Sequence, residues 1–176
     1  MRAAIIGGGA AGMYAAVMLA QAGHSVTIYE KNEKLGKKLF ITGKGRCNLT
    51  NNCEVEELMK HVVTNPKFLY SAFYNCNAQD VMQFFEQNGL ELKTERGNRV
   101  FPASDHSSDV IATLQRVLKR TGVMVQLHAE VRQILTGEGA VRGVKLADGS
   151  VLEAERVILA TGGFSYQTTG STGDGY

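Results

Sequence analysis

Six residues near the start of the chain, Gly7-Gly8-Gly9-Ala10-Ala11-Gly12, have the spacing Gly-x-Gly-x-x-Gly, which suits a phosphate group. Gly7 permits a tight turn, Gly9 lets a pyrophosphate approach the backbone with no Cβ in between, and Gly12 lets a helix pack close to a strand. The helix N-terminus adds N–H groups and the positive end of its dipole. Glu30 lies 18 residues after Gly12, where its carboxylate can accept hydrogen bonds from both ribose hydroxyls and disfavours the 2′-phosphate of NADP.

Two short apolar runs and a helix are expected to position these residues. Residues 3–6 and 26–29 predict buried strands, and residues 10–22 are rich in Ala, Met and Leu, which favour a helix. Gly23 is placed to end that helix. The first thirty residues therefore predict a strand, a glycine-rich turn, a helix and a second, parallel strand.

The rest of the chain predicts a different mixture of elements. Residues 31–52 are basic and glycine-rich and predict an irregular loop, and several helices are expected after them. Residues 123–127 then predict a strand, residues 131–155 a β-meander, and residues 157–160 an all-apolar strand of the central sheet. The expected helices cover residues 66–74, run from Asn77 to Gly89, and run from Ser107 or Ser108 to Gly122.

This order of elements distinguishes two dinucleotides. An NAD-binding domain would continue with another strand–helix unit soon after Glu30, whereas here a β-meander replaces a crossover helix. That layout resembles the large FAD-binding family that includes glutathione-reductase-like and fumarate-reductase-like flavoproteins. Ile158-Leu159-Ala160-Thr161-Gly162-Gly163 resembles its second motif, where a strand end passes close to the flavin dinucleotide. FAD is the expected cofactor, and an NAD-binding dehydrogenase domain is the alternative.

A narrower resemblance rests on Gly36-Lys37-Lys38-Leu39 and on Ile41-Thr42-Gly43-Lys44-Gly45-Arg46-Cys47-Asn48-Leu49-Thr50-Asn51. These segments resemble the signature of the flavoprotein family that contains aminoacetone oxidase and the BaiN-type bile-acid reductase. Arg99-Val100-Phe101-Pro102 with Ser104, and residues 169–176, resemble the same family, while Lys44 stands where that family has a third glycine. The resemblance implies a Rossmann-like α/β domain of the three-layer ββα type, with a parallel central sheet, a β-meander and a helical insertion at about residues 53–121.

The resemblance also implies roles for particular residues. Glu30 would hold the adenosine ribose, Lys31 would lie near the adenosine, and Val131 would read adenine through its backbone. Arg46, Cys47 and Asn48 would open a helix beside the pyrophosphate or the isoalloxazine. The full set of expected cofactor-binding residues is Gly7, Gly9, Ala10, Ala11, Gly12, Glu30, Lys31, Lys38, Gly45, Arg46, Cys47, Asn48, Val131, Ala160, Thr161 and Gly162.

The expected chemistry is hydride transfer through the flavin N5, because in a flavoenzyme the cofactor carries the redox step. An NAD(P)H-dependent reductase or dehydrogenase and an amine-oxidase-like enzyme both fit, with NAD(P)H as a possible electron donor. Arg46 is the candidate for a positive charge near the reduced ring and Asn48 for hydrogen bonding. Cys47 has no second cysteine close in sequence, so packing is favoured over a redox role. The catalytic residues and the substrate are not indicated.

Composition restricts the classes of partner. A formal net charge of +2 gives no electrostatic reason to expect nucleic acid or an anionic membrane, and no apolar run is long enough to span a bilayer. The three cysteines lack the spacing of a disulfide framework or a zinc site, which predicts a cytoplasmic protein without a metal. A small molecule is the expected substrate, and the oligomeric state is not indicated. The basic patch of Lys34, Lys37, Lys38, Lys44 and Arg46 is either a solvated loop or one that faces phosphate.

We interpret residues 1–176 as the N-terminal part of an FAD-binding domain. Similar proteins continue into a substrate domain and a C-terminal stretch that completes the flavin site, and residues 165–176 contain no aliphatic side chain. The chain alone is expected to hold the ADP half of FAD better than the flavin half. A truncated, non-catalytic dinucleotide-binding domain is the second alternative.

Overall fold

A computed structural model describes residues 1–165 and 172–175 of the chain. The chain divides into two units, the first formed by Met1–Leu39 with Leu114–Tyr176 and the second by Phe40–Thr113. The strands are β1 (Arg2–Ile6), β2 (Ser25–Tyr29), β3 (Thr50–Asn51), β4 (Leu92–Glu95), β5 (Arg99–Pro102), β6 (Met124–Gln126), β7 (Val131–Gly137), β8 (Ala140–Leu146), β9 (Val151–Glu153) and β10 (Arg156–Leu159). The α-helices are α1 (Ala10–Gln21), α2 (Lys37–Ile41), α3 (Val55–Lys60), α4 (Tyr70–Asn75), α5 (Ala78–Gln87) and α6 (Ser107–Arg120), and 3₁₀ turns cover Thr42–Gly45 and Pro66–Leu69.

The first unit is built on a parallel sheet with the strand order β10-β1-β2-β6. Ile5 at its centre pairs with Ile28 of β2 and Ile158 of β10. Four of the five residues in each of β1 and β2 are buried, as expected for parallel strands that are covered on both faces. The predicted central sheet and the predicted strand at 157–160 are therefore confirmed, with β10 beginning one residue earlier.

Helix α1 covers one face of this sheet, and the β-meander covers the other. Met13 and Val17 of α1 are fully buried, and Gly12 comes close to Ile5. On the other face, β7, β8 and β9 pair antiparallel. Val144 and Leu146 of β8 join one core cluster with Ala4 and Ile6. Helix, parallel sheet and meander are the three layers of the predicted ββα domain.

The second unit differs from the predicted helical insertion at about 53–121. Its centre is an antiparallel sheet with the order β3-β5-β4, and the β4–β5 hairpin lies within that segment. Gly97 and Asn98 both have positive φ, 76° and 57°, in the hairpin turn. Glycine and asparagine tolerate this backbone, so local turn chemistry allows a hairpin where an uninterrupted set of helices was expected.

The predicted helices of the second unit are confirmed in part. Helix α5 begins after Asn77 with a reciprocal capping box to Asp80. The segment predicted as one helix over residues 66–74 is a 3₁₀ turn followed by α4, and Asn65 makes no capping bond. Ser107 is the first residue of α6, where its hydroxyl donates to the Phe40 carbonyl at 2.6 Å.

Across residues 1–165 and 172–175, every helix is too short or too polar to cross a lipid bilayer.

Candidate functional site

The turn between β1 and α1 is held by contacts that leave no room for a side chain at three of its glycines. Gly7 has φ +108°, and a Cβ there would lie 2.4 Å from the Ala160 carbonyl oxygen. At Gly8 a Cβ would lie 2.2 Å from the Leu35 side chain, and at Gly12 it would lie 1.9 Å from the Gly7 carbonyl oxygen. Packing against backbone atoms therefore requires glycine at Gly7 and Gly12, whereas a Cβ at Gly8 would have to displace the end of the Leu35 side chain.

Gly9 is different, because packing does not explain it. Its φ of −79° is open to any residue, and apart from Gly9 and its two chain neighbours no described residue has an atom within 4 Å of the place where a Cβ would be. Gly9 is also the N-cap of α1, and because glycine has no side chain, no N-cap side chain accepts a hydrogen bond from the N–H groups of the first turn. Ala10 and Ala11 in the first turn are exposed, and the first turn contains no acidic residue. This surface can accept an anion at the backbone N–H groups of the helix start.

Glu30 lies at the end of β2, buried beside the turn, with 7% of its surface exposed. Its Oε2 accepts the Gly8 backbone N–H at 2.7 Å. Its Oε1 accepts the backbone N–H and the side-chain amide of Asn32, at 2.8 and 2.6 Å. The carboxylate is thus fixed at the same sheet edge as the glycine turn.

The end of β10 lies against the same turn. The Ala160 backbone N–H donates to the Ile6 carbonyl at 2.8 Å, and the Ala160 carbonyl is the group that a side chain at Gly7 would strike. Thr161 and Gly162 follow directly, with Gly162 at φ +83°. The structure therefore brings the first and second predicted motifs together at the carboxyl ends of parallel strands, where α/β sheets bind ligands.

Lys31 pairs with residues late in the chain, and its expected place near the adenosine stays a prediction. Its Nζ pairs with the Asp174 carboxylate at 2.5 Å and with the Thr172 hydroxyl at 2.9 Å. The Lys31 ammonium lowers the pKa of the Asp174 carboxyl below its usual value, and the Thr172 hydroxyl adds to this effect. Part of the predicted 169–176 motif is thereby anchored at the β2 end, while residues 166–171 and Tyr176 lie outside the described residues.

Two further expected contacts of the first unit lie on other elements. Val131 begins β7, and the register with β8 shifts between Val131 and Gln133. Lys38 lies in the first turn of α2 and is half-buried. A cofactor role for either residue stays a prediction.

The remaining expected site residues, Gly45, Arg46, Cys47 and Asn48, belong to the second unit. The helix that Arg46, Cys47 and Asn48 were expected to open is absent from the described structure, where Thr50–Asn51 form β3 instead. The preceding turn has a left-handed backbone at Gly43, Lys44 and Gly45. Cys47 also has a positive φ of 58°, which a helix cannot contain. With its amide nitrogen facing inward, Asn48 donates to the carbonyls of Val100 and Thr50, at 3.1 and 3.0 Å.

Arg46 is the centre of an ion-pair network. Its guanidinium binds Glu95 at 2.5 Å and Asp105 at 2.6 Å and lies 4.2 Å from the centre of the Phe101 ring. Lys93 binds the other Asp105 oxygen at 2.6 Å. The positive charges of Arg46 and Lys93 balance the two carboxylates, so Arg46 does not present an uncompensated charge to an anion. The Arg46 guanidinium lowers the pKa of Glu95. The pKa of Asp105 is lowered mainly by its hydrogen bond with Lys93 and secondly by that with Arg46.

Cys47 is buried, with 4% of its surface exposed. Burial raises the pKa of its thiol, and a hydrogen bond with Thr42 offsets only part of that effect. A buried thiol with a raised pKa is a weak nucleophile, which agrees with the expected packing role.

Sequence reasoning did not identify Gly8, Asn32 or Leu35 as parts of the site. The third glycine in the run Gly7-Gly8-Gly9 was the available signal for Gly8, whose carbonyl also accepts the Gly36 N–H at 2.8 Å. Asn32 follows Glu30 by two residues, a spacing at which an asparagine can bond to nearby backbone and side chains. For Leu35 no local signal exists, since its contact with Gly8 is made by tertiary packing.

The family model described as HI0933-like protein Rossmann domain matches residues 1–176. The chain belongs to this family. The 3-dehydro-bile acid delta(4,6)-reductase of Clostridium scindens is 35% identical to it over 178 residues, which cover 99% of this chain and 42% of that protein. The ribosomal RNA dihydrouridine synthase of Haemophilus influenzae is 30% identical over 175 residues, or 98% of this chain and 43% of that protein. This HI0933-like chain thus spans about two fifths of the length of these relatives.

Solved structures support the same fold. A flavocytochrome c3 fumarate reductase superposes with a TM-score of 0.62 at 22% identity, over 93% of this chain and 34% of that one. Membership in the HI0933-like family supports FAD as the cofactor of this domain and an FAD-binding oxidoreductase as its class, while the superposition supports the fold. They set aside the alternative of an NAD-binding dehydrogenase domain.

Proposed function

We propose that the turn between β1 and α1, Glu30 and the end of β10 bind the ADP half of FAD. Gly9 carries this proposal, because neither its backbone conformation nor protein packing requires glycine, whereas a pyrophosphate at the helix start would. The glycine turn, the first-turn N–H groups of α1 and the buried carboxylate would hold pyrophosphate and ribose in a fixed orientation. Ala160, Thr161 and Gly162 would form the wall beside the dinucleotide.

We further propose that the whole protein reduces a carbon–carbon double bond. The names of the two relatives both denote this chemistry: a delta(4,6)-reductase saturates double bonds, and dihydrouridine is uridine with one double bond reduced. Bound FAD supplies hydride transfer at the flavin N5. NAD(P)H is the proposed donor, and a cytoplasmic location stays a prediction.

Two substrate classes follow from the relatives. A small molecule with a conjugated double bond is the first, supported by the 35% identical bile-acid reductase. A uridine in ribosomal RNA is the second, supported by the 30% identical dihydrouridine synthase, since the charge argument against nucleic acid concerns only these 176 residues. Turnover by a longer gene product but not by residues 1–176 would support the alternative that this chain alone is a non-catalytic binding domain.

The test of the FAD site is the variant Gly9→Ala, with Gly137→Ala as the matched control. Both glycines have backbone angles open to alanine, and a Cβ at Gly137 meets only Arg142 at an ordinary 3.5 Å. Gly9→Ala should weaken FAD binding by about tenfold or more without lowering the melting temperature, whereas Gly137→Ala should change neither. Flavin absorbance near ~450 nm and fluorescence titration measure the binding. Equal FAD affinity in both variants would contradict the proposed site.

A further inference from the structure

The carboxylate of Glu30 is held by more donors than a free ribose-binding acid requires. Gly8 N–H reaches Oε2 at 2.7 Å, and Asn32 gives two donors to Oε1, at 2.8 and 2.6 Å. From this geometry we infer that Asn32 is a positioning residue, which determines how Glu30 recognises the hydroxyls of the cofactor ribose. The inference rests on the proposed FAD site.

Counting acceptor positions shows which oxygen remains for the ribose. A carboxylate has about four lone-pair positions, two on each oxygen. Asn32 fills both positions of Oε1 through its backbone N–H and its side-chain amide. Oε2 has one position left beside Gly8, so this single oxygen is directed at a ribose hydroxyl.

The orientation of the Asn32 amide is itself determined by a neighbour. Lys37 Nζ donates to Asn32 Oδ1 at 3.1 Å, which turns the amide nitrogen toward Glu30. The backbone of the same segment is tied down as well, since the N–H groups of His128 and Ala129 donate to the carbonyls of Asn32 and Glu30, at 3.2 and 2.9 Å. Hydrogen bonds therefore run from Lys37 through Asn32 and Glu30 to the phosphate-binding turn.

Removing the Asn32 side chain should free one position of Oε1 and take away one of the three donors that hold the carboxylate, leaving the backbone N–H groups of Gly8 and Asn32. Glu30 would still be present and charged, but its carboxylate would be held less firmly in the orientation that directs Oε2 at the ribose. The expected effect is a loss of discrimination between nucleotides with and without ribose hydroxyls, and this differs from a general loss of stability.

The experiment compares ADP with 2′,3′-dideoxy-ADP as competitors of FAD, on the 176-residue chain and its variant Asn32→Ala. The wild type should prefer ADP by about tenfold, and Asn32→Ala should reduce this preference to about threefold or less. The control is Asn75→Ala, because Asn75 is exposed and in the described structure its side chain bonds only that of Ser71, so it should keep the wild-type preference.

A second variant protects the test against misfolding. Asn32→Leu keeps a similar size and the backbone N–H but loses the amide donor to Oε1 without adding a charge beside Glu30, so it should lose the preference in the same way. Unchanged preference in folded Asn32→Ala or Asn32→Leu, even with weaker binding overall, would show a merely structural role and overturn the inference. If the wild type binds neither FAD nor ADP, the proposed function itself fails.

Discussion

At the scale of single residues, the glycines of the first motif have two distinct kinds of cause. At Gly7, Gly8 and Gly12 a Cβ would lie between 1.9 and 2.4 Å from another protein atom, whereas at Gly9 it would meet none within the described chain. A shared sequence pattern therefore combines a packing constraint with a binding constraint. Substitutions at the two kinds of glycine should consequently affect different measured quantities.

Gly12→Ala should destabilise the protein, although alanine favours a helix by itself. Its Cβ would lie 1.9 Å from the Gly7 carbonyl oxygen, so α1 must move away from β1. The expected loss in free energy of unfolding is about 1–3 kcal/mol, as for other overpacked sites. Urea unfolding with Gly137→Ala as control measures it, and wild-type stability of Gly12→Ala would contradict the close packing.

Cys47 should react slowly with alkylating reagents. Its thiol is buried and its pKa is raised by burial, while Cys53 and Cys76 are partly exposed. At about pH 8, iodoacetamide should modify Cys47 at least about tenfold more slowly than Cys53 in the folded chain. Peptide mass spectrometry over time gives the rates, and in denaturant the three cysteines should become alike. Fast reaction of Cys47 in the folded chain would restore its candidacy as a reactive residue.

At the scale of elements, the 42–48 segment and the β4–β5 hairpin depend on each other. Arg46 bonds Glu95 at the end of β4 and Asp105 beyond β5, and it lies on the ring of Phe101 in β5. Asn48 bonds the Val100 carbonyl of the same strand. The segment that most specifically indicated the family is thus folded by contacts with a hairpin about fifty residues later in the chain.

Arg46→Met should lower stability in a pH-dependent way. The pKa values of Glu95 and Asp105 are lowered in the folded state, so the ion pairs contribute fully above the ordinary carboxyl values and lose their contribution as pH falls through the lowered values. The stability difference between wild type and Arg46→Met should be largest above about pH 5 and smallest below about pH 3. The exposed Arg96→Met is the control, and thermal unfolding between these pH values is the measurement. A difference independent of pH would mean that stacking on Phe101 dominates.

At the scale of the whole molecule, the proposed ADP site lies in the first unit alone. The turn after β1, the end of β2 and the end of β10 are contributed by residues within Met1–Leu39 and Leu114–Tyr176. The Arg46 segment belongs to the second unit, where its own ion-pair network organises it. Binding of the ADP half should therefore stabilise the first unit directly.

FAD should protect the chain from unfolding by mass action. At a hundredfold excess over its dissociation constant, a ligand adds about 2.7 kcal/mol, which is about 5–10 °C in melting temperature for a chain of this size. Hydrogen exchange should slow most at the turn after β1 and at the end of β2. Riboflavin, which lacks the ADP half, is the control. Equal protection by riboflavin would place the binding energy elsewhere.

The sequence by itself determined the parts of this protein that depend on local order. Gly7 to Gly12, Glu30 and the apolar strands predicted the parallel sheet, the helix and the turn between them, because backbone propensity and residue spacing act over short distances. Tertiary structure alone decided the pairing of Lys31 with Asp174 and the binding of Arg46 to Glu95 and Asp105. Lys31 and Arg46 have long, charged side chains, and several carboxylates along the sequence are chemically suitable partners for each. Only the folded arrangement brings particular carboxylates within hydrogen-bond distance.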